Sequence, residues 1–85
     1  MTWKIKKLKH GTNTFLVKEF KFKNFIESLS FVNKVGEIAE NLGHHPEIKI
    51  CYNIVYLSTT THDEGGVISQ RDYDLAGLIE TLSNN

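Results

Sequence analysis

Histidine titrates nearest to neutral pH, so a group of histidines is the first place to look for proton-transfer chemistry. The chain has four, His10, His44, His45 and His62. His10 stands in the turn cluster His10-Gly11-Thr12-Asn13 and reads as a solvated loop residue. The other three flank two strand-like segments, His44 and His45 before the first and His62 after the second. If those strands pair as a hairpin, the start of one lies beside the end of the other. The three histidines then meet at one end of the sheet. Asp72 opens the element that follows His62 and approaches from the same side. Several histidines and one acid in a shared pocket suit a reaction that removes one proton and delivers another, such as the elimination of water.

Other chemistry stays open for the same residues. Three histidines with a water make a catalytic zinc arrangement. Against that, neighbours on an extended chain point to opposite sides, so His44 and His45 share a metal only if the loop bends. No CxxC and no helical His pair accompanies them, and no metal is expected. A structural role for the histidines is the third reading. Glu40, four residues before His44, is either an exposed helix acid or a group that orients a histidine. Cys51 falls on a strand with no adjacent His and reads as core. Ser58 to Thr61 read as strand residues. Gly65-Gly66 lacks the lysine of a phosphate loop.

The elements that must position these groups follow from the hydrophobic period. Trp3-Lys4-Ile5-Lys6 alternates as a strand with Trp3 and Ile5 inward, and Thr14 to Lys21 completes a hairpin. The period then lengthens. Phe22, Phe25, Ile26, Leu29, Val32, Val35, Ala39 and Leu42 recur at three and four, which predicts one apolar face of a long helix. Asn24 is the better N-cap, Gly43 suits a left-handed end, and Pro46 prevents continuation. Ile48 to Tyr52 and Val55 to Thr61 read as a second hairpin. Ser69-Gln70-Arg71-Asp72 has the form of a capping box with a short acid at the third position. Leu75, Ala76, Leu78, Ile79 and Leu82 form the last apolar face. The order β-β-α-β-β-α predicts an α+β two-layer sandwich, a four-stranded antiparallel sheet with both helices packed on one face.

Composition bounds the rest. With 85 residues there is room for one domain, spanning 1–85, and 40% hydrophobic with 24% charged residues excludes disorder. No apolar run approaches the ~20 residues of a membrane span. Met1 to Lys9 alternates lysine with apolar residues, unlike a signal peptide. The single Cys51 allows no internal disulfide, and a cytoplasmic location is the simplest expectation. A domain this short buries only roughly 60–65% of its chain surface, so a homo-oligomer is expected. Residues 1–23 carry seven lysines and one acid, whereas the remainder carries three basic groups and nine acids. That basic end could face nucleic acid. Strand-patterned lysines without stacking aromatics fit the solvated side of a hairpin better, so no nucleic-acid partner is expected.

Taken together, Glu40-x-x-x-His44-His45-Pro46, Tyr52-Asn53, Thr61-His62 and Asp72 with Leu75-Ala76 resemble the pterin-4a-carbinolamine dehydratases, over about residues 15–82. Phe20-x-Phe22 leads into the long helix as it does in that family. The resemblance implies dehydration of 4a-hydroxytetrahydropterin to quinonoid dihydropterin, in tetrahydrobiopterin recycling, by an enzyme with no cofactor of its own. It implies a homodimer or homotetramer. It carries the active-site histidines over to His44, His45 and His62, with Glu40 as a further substrate contact, and the acid to Asp72. The chain departs at Ile48, where animal members have Trp, and at Ile50, where they have a polar residue. Some animal members also serve a transcription factor as dimerisation partners. A non-catalytic assembly or dimerisation factor of the same fold is therefore the alternative.

Overall fold

The computed structural model describes residues 3–82. Met1, Thr2 and Ser83 to Asn85, the two ends of the expected 1–85 domain, lie outside the described residues. In chain order the elements are β1 (Lys4–Lys7), β2 (Thr14–Lys21), α1 (Phe25–Leu42), β3 (Glu47–Cys51), β4 (Ile54–Thr59), a short 3-10 turn (His62–Glu64) and α2 (Gln70–Glu80). This is the expected β-β-α-β-β-α order.

Local chemistry sets the boundaries. Asn24 takes an extended conformation and its side chain accepts from the Glu27 N–H at 2.9 Å. The Glu27 carboxylate in turn accepts from the Lys23 N–H at 3.0 Å. The first of these bonds satisfies a donor that a helix start leaves unpaired, and the second ties the preceding chain to the first turn. At the other end Gly43 adopts φ 68°, ψ 29°, a left-handed conformation that glycine reaches without a Cβ clash. The His44 N–H then donates to the Ala39 carbonyl at 3.1 Å. The helix end is thereby closed by the first histidine of the pair. In the β3–β4 turn, Tyr52 takes φ 53°. Asn53 ties that turn to the end of β2, accepting from the Phe22 N–H at 2.8 Å and donating to the Phe22 carbonyl at 3.2 Å.

The four strands are all antiparallel, in the order β1-β2-β4-β3. β3 and β4 pair as the expected hairpin, with Glu47 opposite Ser58 and Cys51 opposite Ile54. Register sorts the side chains into two faces. Leu16 and Phe20 of β2, with Val55, Leu57 and Thr59 of β4, face the helices and are buried. The core joins them to Phe31, Val35 and Ala39 of α1 and to Leu75, Ala76 and Ile79 of α2. Aromatic rings fill its β2–α1 side, with Trp3 edge-on to Phe20 at 6.0 Å and Phe20 against Phe31 at 4.7 Å. Lys18, also on the helix side of β2, pairs with Glu80 at the end of α2.

Four expectations about faces are corrected. Ile5 shares a side with its register partner Leu16 but is 63% exposed, because β1 is an edge strand that the helices do not cover. On α1 the buried stripe is Ser28, Phe31, Val35 and Ala39, whereas Phe25, Ile26, Leu29 and Leu42 are exposed. The contacts of Phe31 with Phe20 and Phe22 turn the helix about its axis, away from the face expected from the sequence. Ser28 tolerates burial because its hydroxyl donates to the Asn24 carbonyl at 3.2 Å. On α2, Leu78 is exposed while Leu75, Ala76 and Ile79 are buried. Cys51, expected in the core, is exposed at the end of edge strand β3.

Candidate active site

The site grows from the cap of α2. Ser69 is the N-cap, and with Asp72 it forms the expected capping box. The Ser69 N–H donates to Asp72 Oδ2 at 2.9 Å, which brings the Asp72 side chain back over the helix start. That position faces the end of β4. Residues two apart on a strand share a face, so Thr59 and Thr61 both present hydroxyls there. Thr61 Oγ1 donates to Asp72 Oδ2 at 2.8 Å and Thr59 Oγ1 donates to Oδ1 at 2.5 Å. Thr61 is itself held by a bridge to Val67, its N–H donating to the Val67 carbonyl at 3.0 Å. The fourth partner comes from the end of α1, where His44 Nε2 lies 2.6 Å from Asp72 Oδ1.

Asp72 is fully buried, and His44 is 7% exposed. Burial pushes the Asp72 carboxyl up. The hydrogen bonds from Thr59, His44, the Ser69 backbone and Thr61 outweigh it and hold the group below the usual carboxylate range. Asp72 is therefore an ionised acceptor at neutral pH, with no proton to give. It follows that His44 donates from Nε2, which leaves Nδ1 as the ring nitrogen able to exchange a proton. Among the described residues Nδ1 has no hydrogen-bond partner. Among the described residues, the buried side-chain nitrogen or oxygen without a partner is Trp3 Nε1, so His44 Nδ1 retains contact with solvent. A buried carboxylate thus orients an imidazole whose second nitrogen keeps contact with solvent.

The other expected residues are placed differently. His45 is exposed and its Nε2 lies 2.9 Å from Glu40 Oε1, so Glu40 is both the exposed helix acid and the partner of a histidine. His44 and His45 do go to different partners. His62 begins the 3-10 turn, exposed, directly after Thr61. Among the described residues its side chain makes no hydrogen bond, and no hydrogen bond links the three histidines to one another. No group of three or more His, Cys, Asp or Glu side chains among the described residues is placed to hold a metal ion. The residues that sequence reasoning passed over are Thr59 and Thr61, read as ordinary strand residues. Their signal was the alternation itself, two threonines at i and i+2 running into His62.

Comparison with known proteins decides the family. The family model described as Pterin 4 alpha carbinolamine dehydratase matches residues 1–82. The chain belongs to this family. A Picosynechococcus protein named "Putative pterin-4-alpha-carbinolamine dehydratase" is 55% identical over 65 residues, covering 76% of this chain and 70% of its own. A protein of the same name from Sulfolobus acidocaldarius is 47% identical over 70 residues, 82% of this chain and 76% of its own. Among solved structures, a transcriptional coactivator/pterin dehydratase from Brucella melitensis superposes with a TM-score of 0.78 at 28% identity, covering 91% of this chain and 79% of its own. A pterin dehydratase-like protein identified as a RuBisCO assembly factor superposes at 0.77 with 19% identity, covering 100% of this chain and 93% of its own. That last likeness is one of fold. Among the described residues of this pterin-4a-carbinolamine dehydratase family member, no helix is long and apolar enough to cross a membrane.

Proposed function

We propose that this protein dehydrates 4a-hydroxytetrahydropterin to the quinonoid dihydropterin, releasing water and serving tetrahydrobiopterin recycling. The single observation that carries the reading is the buried His44–Asp72 pair at 2.6 Å, in a chain of this family. The carbinolamine carries a hydroxyl on C4a beside N5–H. Its dehydration breaks the C4a–O bond, removes the N5 proton and forms the C4a=N5 bond. One group must take a proton and another must give one.

His44 is suited to be the base. Its Nδ1 is the free nitrogen, and the ionised Asp72 behind it stabilises the imidazolium that forms on accepting the N5 proton. His62, exposed and beside Thr61, is the acid that protonates the leaving hydroxyl. His45 contacts the pterin ring and Glu40 holds His45. The protein requires no cofactor and no metal in this reading, and acts in the cytoplasm as a homodimer or homotetramer without a nucleic-acid partner. The alternative of a non-catalytic assembly factor is supported by likeness of fold alone.

The test is the dehydration rate of 4a-hydroxytetrahydropterin against the spontaneous rate. One positioned acid or base contributes ~10²–10⁴-fold, so His62→Ala is expected to lower the enzymatic rate by at least about 10². An unchanged rate in His62→Ala would remove His62 from the mechanism.

A further inference from the structure

Thr59 continues a run of helix-facing positions on β4 that is apolar up to that point. It follows Val55 and Leu57 along the helix-facing side of β4, opposite Leu16, and is 2% exposed. A valine would fill nearly the same volume without a polar group to satisfy. The hydroxyl donates its one proton to Asp72 Oδ1 at 2.5 Å, and the same oxygen accepts from His44 Nε2 at 2.6 Å. The other carboxylate oxygen is held independently, by Thr61 and the Ser69 N–H. The ionisable groups bonded in this cluster are Asp72 from α2 and His44 from the α1–β3 loop, while β4 supplies only hydroxyls. Carboxylate torsions are broad, so the direction of Oδ1 is set by what bonds to it. Without Thr59, only the histidine that Asp72 is meant to orient would hold that oxygen.

We propose that Thr59 is a positioning residue of the dehydratase site. Its hydroxyl fixes Asp72 Oδ1, which fixes the His44 ring and aims Nδ1 at the substrate proton. This rests on the dehydratase reading for its kinetic consequence, and on the His44–Asp72 geometry for its structural one. A small displacement of a catalytic group costs rate more than binding.

The experiment compares Thr59→Val, which keeps the shape and removes the hydroxyl, with Thr59→Ser, which keeps the hydroxyl and removes the methyl. Both are made in the full chain. Two readouts are taken, kcat and KM with 4a-hydroxytetrahydropterin and the low-field NMR resonance of the His44 Nε2 proton. Thr59→Val is expected to lose about tenfold in kcat with KM changed by less than about twofold. Thr59→Ser is expected to stay within about twofold of the parent in both. The Nε2 proton resonance is expected to move or broaden in the valine variant and to persist in the serine variant. Equal behaviour of the two variants, whether both intact or both impaired, would overturn the proposal. If Thr59→Val does not fold, Thr59→Ala against Thr59→Ser decides by the same readouts. If the parent protein shows no dehydration, the functional reading fails. The resonance then decides alone, and its indifference to loss of the hydroxyl overturns the positioning role.

Discussion

Asp72 is the residue on which the site depends, because four donors converge on a carboxylate with no exposure to solvent. Its folded value lies below the ordinary one, and this fixes the sign of its effect on stability. The stabilisation is fully present above the unfolded carboxylate value of about 3.9 and is lost as pH falls through the lower folded value. Urea denaturation between about pH 2 and 7 should therefore show stability falling on the acid side. In Asp72→Asn that part of the acid dependence should disappear. The same variant should lose about 2–4 kcal/mol at neutral pH, since an amide cannot accept all four donors. An acid profile in Asp72→Asn identical to the parent's would contradict an ionised, hydrogen-bonded Asp72. Of this arrangement the sequence showed the histidines, the acid and the cap. It did not show Thr59 and Thr61, because a threonine on a strand looks the same whether its hydroxyl meets a carboxylate or water.

At the scale of elements, loop and helix ends position the reactive groups. Gly43 ends α1 so that His44 both closes the helix and reaches Asp72. The loop after β4 is fixed by Gly66, at φ 73°, where an added Cβ would stand 2.2 Å from the Asn13 side-chain amide. That amide approaches the Gly65 and Gly66 carbonyls at 3.4 Å, and the Thr14 N–H bonds the Gly66 carbonyl at 3.0 Å. Gly66→Ala is expected to cost about 1–3 kcal/mol through the left-handed backbone and the displaced Asn13. Thermal or urea unfolding measures it, and a variant as stable as the parent would show that this loop is not under the constraint described. Caps and turns were legible because they are local, and Asn24, Gly43 and Ser69 all stand where their types predict. The face of α1 was not. Apolar residues surround much of the helix, so the period alone could not choose Phe31 over Ile26. The choice came from Phe20 and Phe22, on β2 and the β2–α1 connection, whose packing on Phe31 is a tertiary contact that the helical period does not encode.

For the whole molecule, the same ambiguity leaves apolar surface outside. Ile5, Phe25, Ile26, Leu29 and Leu78 are exposed, Ile26 by 71%. A small domain with this much apolar surface is expected to bury some of it against copies of itself. Light scattering after size exclusion should give two or four times the chain mass. A monomer at working concentrations would contradict the homo-oligomer and leave the site untouched. The topology was legible as a whole, since two hairpins and two helices leave few ways to close one core. The sheet order β1-β2-β4-β3 was not, since two hairpins can meet along either edge; in that order β4 runs next to β2 and ends beneath the cap of α2. The most direct test of the central claim is the rate of 4a-hydroxytetrahydropterin dehydration by the parent protein and by His44→Ala, each against the spontaneous rate. A clear enzymatic rate that drops by at least about 10² in the variant is expected. A parent protein no faster than the spontaneous reaction, or a His44→Ala variant as fast as the parent, would contradict it.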